Sequence, residues 1–120
     1  ILPAGFSLSV FNTPVALATL AFKLTGGYSV LYPSKNNFAD CFKAAVAPLL
    51  AGTEKQILFV YADELVPEVY GEKRPTENIP FSFACLISIQ KSDKAIRFSI
   101  DDLNTISSSP IAFLKNIYNI

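Results

Sequence analysis

Between Pro14 and Thr25 the chain is apolar on nearly every side. Val15, Leu17, Ala18, Leu20, Ala21, Phe22 and Leu24 leave no polar stripe for water. A helix of that composition must be surrounded by other protein, so the segment reads as a buried helix. Thr13 stands as its N-cap with Pro14 at the first helical position, and Gly26-Gly27 marks its end. The apolar run is far too short to cross a bilayer. No basic segment precedes it, so it is not a secretory signal.

The flanking segments supply the layers. Phe6, Leu8 and Val10 alternate with Ser7 and Ser9, the period of a half-buried strand over residues 6–11. Residues 28–32 form a second short apolar strand, closed by Pro33. Phe38, Phe42, Ala45, Val46, Leu49 and Leu50 recur at helical spacing, with Asp40 and Lys43 off the stripe. Pro48 falls late in that helix and Gly52 follows as its stop. Residues 56–62 are a continuous apolar run, as in a strand covered on both faces. Strand, helix and strand at this spacing predict a parallel, right-handed crossover. A loop with Pro67, Gly71, Pro75 and Pro80 comes next. Residues 81–90 and 95–101 then read as two strands of a hairpin joined by Lys91-Ser92-Asp93-Lys94. Ser109-Pro110 starts a last helix through Ile111, Phe113, Leu114 and Ile117. The expected fold class is α/β: one domain over residues 1–120, with a layered mixed sheet, a buried helix, and a C-terminal hairpin and helix.

Composition excludes several functions. Ten basic and ten acidic side chains give a net charge of zero, which argues against phosphate-dominated nucleic-acid binding. The chain has no His, so no His-based triad, His-assisted thiol or His metal site can be built from it. Cys41 and Cys85 lack zinc-site spacing and are too few for a disulfide scaffold, so no metal or cofactor is expected and the default compartment is the reducing cytoplasm. Hydrophobic residues make up 51% of the chain, more than a domain of this size needs inside, which points to a partner or a further segment covering part of its surface. The chain has no Met and begins at Ile1, which reads as a piece of a larger polypeptide.

A family resemblance enters here. The segment Ala4-Gly5-Phe6-Ser7-Leu8-Ser9-Val10-Phe11-Asn12-Thr13-Pro14 resembles the approach to the buried helix of β-ketoacyl synthases. Gly26-Gly27-Tyr28-Ser29-Val30-Leu31-Tyr32 resembles the strand that follows, which in that family lies at the dimer interface. The next helix, the run from Gln56 to Glu64, Glu64-Leu65-Val66-Pro67-Glu68-Val69-Tyr70 and Ser109-Pro110-Ile111-Ala112-Phe113-Leu114 continue the same frame in order. Together they resemble the β-ketoacyl synthase-like N-terminal domain, whose members are often chain-length-factor-like and accompany fatty-acid, polyketide or aryl-polyene synthesis. The resemblance implies a thiolase-like half-fold, the second half of such a domain without its N-terminal half.

The resemblance also locates a departure. Condensing enzymes place their nucleophilic Cys at the turn before the next helix, where the helix N-terminus lowers the thiol pKa. Here that turn holds Ser34, Lys35 and Asn36, and Lys35 falls at the nucleophile's place. Lys35 is a candidate contact for a carrier-protein phosphate, although a Lys in a polar turn is more often solvated. Ser34 has no base to activate it and suits a capping role. Cys41 is the alternative nucleophile, yet beside Phe42 it reads as a packed thiol. Asp63-Glu64 and Asp101-Asp102 read as solvated turns, without metal-loop spacing. Lys73-Arg74 with Glu72 and Glu77 marks a charged loop with a possible carrier-protein contact. Tyr28, Val30, Leu31 and Tyr32 form the candidate interface, a strand edge joined across a dimer.

Three functions follow as expectations. The first is a non-catalytic, chain-length-factor-like subunit that pairs with an active ketosynthase, with an acyl carrier protein as a further contact. The second is an acyltransferase or condensing enzyme using Cys41 or Ser34. The third is a plain interaction domain that self-associates as a homodimer through residues 28–32.

Overall fold

Two compact units divide the chain, Ile1–Pro33 and Ser34–Ile120. The computed structural model describes Gly5 and residues 12–31, 37–63, 67–69 and 80–118. The strand expected over residues 6–11 lies outside the described residues.

The first unit holds α1, Thr13–Ala21, with Pro in its first turn and Asn12 as N-cap. Three Ala and two Leu favour the helix. Thr19 satisfies its own hydroxyl by donating to the Ala16 carbonyl at 2.7 Å. The expected helix is present, but the expected burial is not: no residue of α1 is buried. Periodicity states what a helix needs covered and is silent on what covers it. The helix also stops before the expected Gly26-Gly27. Lys23 takes a left-handed φ of 54°, and its N–H donates to the Leu20 carbonyl at 3.3 Å. The Leu24 N–H donates to the Thr19 carbonyl at 2.9 Å, which completes a Schellman ending. The strand expected over residues 28–32 is corrected as well. Residues 28–31 are exposed and form no strand, and Tyr32 lies outside the described residues.

The second unit begins with α2, Phe38–Leu50. Phe38, Phe42, Val46 and Leu49 fall on one face at helical spacing and are its buried residues. Asp40 sits in the first turn, where the helix dipole favours an acid. Pro48 stands inside the helix, which ends two residues later at Leu50. The expected glycine stop is present: Gly52 has φ 77°, its N–H donates to the Leu49 carbonyl at 3.2 Å, and the Thr53 N–H donates to the Pro48 carbonyl at 3.0 Å. The two helices thus share one ending, with Gly52 in one and Lys23 in the other. A Cβ at Gly52 would meet no atom within 4 Å, so only backbone strain opposes a side chain there. Gly52→Ala is expected to cost about 1 kcal/mol in urea denaturation, and Lys23→Gly to gain up to about 1 kcal/mol.

β1, Gln56–Asp63, and β2, Phe81–Ser88, form a two-stranded antiparallel sheet. Gln56 pairs with Ser88 at one end and Asp63 with Phe81 at the other. Ile57, Phe59 and Tyr61 on β1 are half-buried, as are Phe81, Phe83, Cys85 and Ile87 on β2. These residues form the inner face. The residues between them are exposed, including Leu58 (63%), Val60 (60%) and Leu86 (63%). β1 is therefore covered on one face rather than on both. The expected mixed sheet with a parallel crossover is corrected to this antiparallel pair among the described residues.

The expected hairpin of residues 81–90 with 95–101 does not form. β2 pairs with β1 instead, and residues 96–99 are irregular. A local competitor explains the outcome. Ser99 accepts from the Asp102 N–H at 3.1 Å and the Asp102 carboxylate accepts from the Ser99 N–H at 2.7 Å. This capping box starts α3, Ile100–Leu103, within the expected strand. The last expected helix is present as α4, Pro110–Tyr118, and Ser109 accepts from the Ala112 N–H at 3.3 Å at its start.

The core of this unit is aromatic. Phe38, Phe42, Val46 and Phe113 are buried together, with Phe59, Tyr61 and Phe83 of the sheet packed against them. Phe42 and Phe113 lie 4.9 Å apart between ring centroids, Phe38 and Phe113 5.2 Å, and Phe42 and Phe59 5.1 Å. These separations are those of favourable ring pairs.

Candidate functional site

α2 positions the residues on which the chemistry was expected to turn. Asn37 is its N-cap residue, and the Cys41 N–H donates to the Asn37 carbonyl at 3.0 Å. Ser34, Lys35 and Asn36, the expected nucleophile-equivalent turn, lie outside the described residues. Cys41 is a half-buried free thiol one turn into the helix.

Cys85 is also free and half-buried, on the inner face of β2 opposite Phe59. Burial pushes its thiol pKa up, which favours the neutral, poorly nucleophilic form. The two thiols are not joined to each other, in keeping with the reading of packed cysteines.

The acidic pairs have structural settings. Asp63 ends β1, where the Tyr61 hydroxyl donates to its Oδ2 at 3.3 Å. Because β1 is antiparallel to β2, the carboxyl-end argument for ligand sites in parallel sheets does not apply to it. Asp102 belongs to the capping box rather than to a solvated turn, and the Ser99 N–H and hydroxyl hold its carboxyl below the usual carboxylate range. The pattern Ser99-x-x-Asp102 was the signal in the sequence that could have found it. Glu64 and the loop with Glu72, Lys73, Arg74 and Glu77 lie outside the described residues. Among the described residues no three His, Cys, Asp or Glu side chains form a metal-holding group.

Among the described residues, Tyr61 carries a large change in proton affinity. Burial, then the charge of Asp63 and the hydrogen bond to it, push the phenol up to about 12. In the unfolded chain it ionises near 10. The folded chain therefore keeps the proton over that window. The stabilising contribution is present below pH 10 and is lost as pH rises from 10 to about 12. Absorbance titration is expected to show a late-ionising component that Tyr61→Phe removes.

Tyr28, Val30 and Leu31 of the expected interface are exposed side by side along the chain. The first unit thus offers an exposed apolar stretch, and the second a helix entry with two half-buried free thiols. A search of curated proteins and of solved structures finds no match for this chain. A family model does match, the β-ketoacyl synthase N-terminal domain, over residues 1–112. The chain belongs to the β-ketoacyl synthase N-terminal domain family.

The match takes in α1, α2, both strands, α3 and the start of α4. Phe113, which closes the aromatic core, stands one residue beyond it. The coarse reading of a ketosynthase-like α/β domain therefore holds. The thiolase-like layering is not visible in the two-stranded sheet. No helix among the described residues is long and apolar enough to cross a membrane.

Proposed function

We propose that this chain is a ketosynthase-like subunit without condensing activity of its own, of chain-length-factor type. It pairs with an active ketosynthase, in the cytoplasm, and helps shape the space that measures an acyl or polyene chain. The observation that carries the reading is Lys35 at the nucleophile-equivalent turn of a chain of the β-ketoacyl synthase N-terminal domain family. A Cys nucleophile needs a base or a lowered pKa, and acyl condensation needs donors for the developing oxyanion. The proposed nucleophile-equivalent position holds Lys35, and the two cysteines are half-buried.

The proposed contact surface is Tyr28, Val30, Leu31 and Tyr32. Three of these are described and exposed, with large apolar groups on a stretch that forms no strand among the described residues. An acyl carrier protein would be the second partner, reached through Lys35 or the Lys73-Arg74 loop.

Co-expression with a ketosynthase from the same biosynthetic cluster tests the reading. The expected result is co-purification and a change in product length when this chain is omitted. Tyr28→Asp with Leu31→Asp is expected to abolish co-purification. A chain that stays apart from the ketosynthase and leaves product length unchanged overturns the proposal. Incubation with a reactive acyl thioester separates it from an enzyme using Cys41 or Ser34. Mass spectrometry is expected to find no acyl adduct, and an adduct on either residue would establish the enzymatic reading instead.

A further inference from the structure

One segment of the second unit carries two competing local codes. Ile96, Phe98 and Ile100 alternate with Arg97, Ser99 and Asp101, the period of a strand with one apolar face. The same stretch holds the Ser99–Asp102 capping box that starts α3. The box prevails, and it leaves Ile96 53% and Ile100 67% exposed. Phe98 meets the core rings, edge-on to Phe42 at 6.1 Å and to Phe113 at 6.2 Å.

The segment follows β2 in the chain, joined to it by residues 89–94. Those residues already turn, for the Ala95 N–H donates to the Ser92 carbonyl at 3.3 Å. One edge of β2 pairs with β1, and among the described residues no strand pairs with the other edge. An open edge presents N–H and C=O groups that accept a further strand. The rings also agree with such a pairing. Phe83 of β2 lies 6.3 Å from Phe113, the ring that Phe98 meets. A strand that keeps Phe98 in place therefore has its apolar side on the inner face of the sheet. Ile96 and Ile100 turn inward with it, and Arg97, Ser99 and Asp101 turn outward.

What opposes the pairing is specific. The Ser99 N–H donates to the Asp102 carboxylate at 2.7 Å, and the Asp102 N–H donates to Ser99 Oγ at 3.1 Å. With α3 so formed, Leu103 and Ile106 pack against the core. We propose that residues 95–101 are a strap for the free edge of β2, held open by the Ser99–Asp102 box. With the box made, that edge is open to another chain. With the box released, the strap pairs antiparallel with β2 and closes it. The device is independent of any ketosynthase partner, because it concerns residues of one unit.

Hydrogen exchange of the full chain, read residue by residue by nuclear magnetic resonance, tests the proposal in the variant Ser99→Ala with Asp102→Ala. Alanine is a poor strand former, so it adds no bias toward pairing. The amides of residues 95–101 that face β2 are expected to exchange at least about tenfold more slowly than in the unsubstituted chain, with new backbone contacts to residues 81–88. Adding Ile100→Asp puts a carboxylate on the inner face and is expected to reverse that gain. Unchanged or faster exchange over residues 95–101, with α2 still protected, overturns the proposal, because the segment is then merely uncapped. Lost protection in α2 overturns it too, since the box would then support the core rather than hold back a strap. A gain that survives Ile100→Asp overturns the assigned pairing, because the segment would then lie in another register.

Discussion

Phe113→Ala is expected to abolish the cooperative unfolding transition of the second unit. Phe113 is only 4% exposed and packs against Phe38, Phe42, Phe83 and Phe98. It is the buried residue of α4, with Leu114 and Ile117 packed against the same core. Truncating a buried Phe to Ala costs about 3–5 kcal/mol, from lost transfer energy and the cavity left behind. Small domains hold only about 5–15 kcal/mol in total. Few residues of this unit are fully buried, so it stands near the lower end of that range. Urea titration followed by circular dichroism reads the result. A midpoint close to that of the unsubstituted chain would show that α4 is not essential to the core.

A second pair of substitutions tests the one-sided sheet. Phe83 and Leu86 lie on the same strand, three residues apart, and on opposite faces. Phe83 touches Phe38, Phe59 and Tyr61 at ring separations of 6.3, 5.8 and 5.7 Å. Phe83→Asp places a carboxylate in that aromatic cluster with nothing to neutralise it. The expected cost is more than about 3 kcal/mol, the sum of lost packing and of charge burial. Leu86 is 63% exposed, and Leu86→Asp is expected to change stability by no more than about 0.5 kcal/mol. Equal effects at the two positions would mean that the outer face is covered in solution. The contrast therefore measures cover as well as stability.

The elements legible in the sequence were those whose signal is local. The stripe Phe38, Phe42, Val46 and Leu49 specifies α2 and its buried face. Gly52 announces the end of that helix, and Ser109-Pro110 the start of α4. The apolar runs of β1 and β2 were found at almost their observed limits. Alternation misled at residues 95–101, because Ile96, Phe98 and Ile100 have the period of a strand while Ser99 and Asp102 have the spacing of a capping box. Two short hydrogen bonds outweighed a pattern that had no partner strand. At residues 28–31 the pattern was right for a strand, but a strand exists only by pairing.

The candidate nucleophile-equivalent turn, Ser34 to Asn36, lies outside the described residues. The lack of His in this chain and the identity of Lys35 are properties of composition and order, read without any coordinates.

By itself, then, the sequence determined three of the four described helices, where two of them stop or start, where β1 and β2 run, and which family the chain resembles. Only the tertiary structure decided that β1 takes β2 as an antiparallel partner, that one face of the pair stays bare, and that α1 has no buried residue. The physical reason is the range of the interactions. Capping, left-handed turns and periodicity act over a few residues and are written locally. Pairing and cover act between segments distant in the chain, and each apolar face records only its need for a partner.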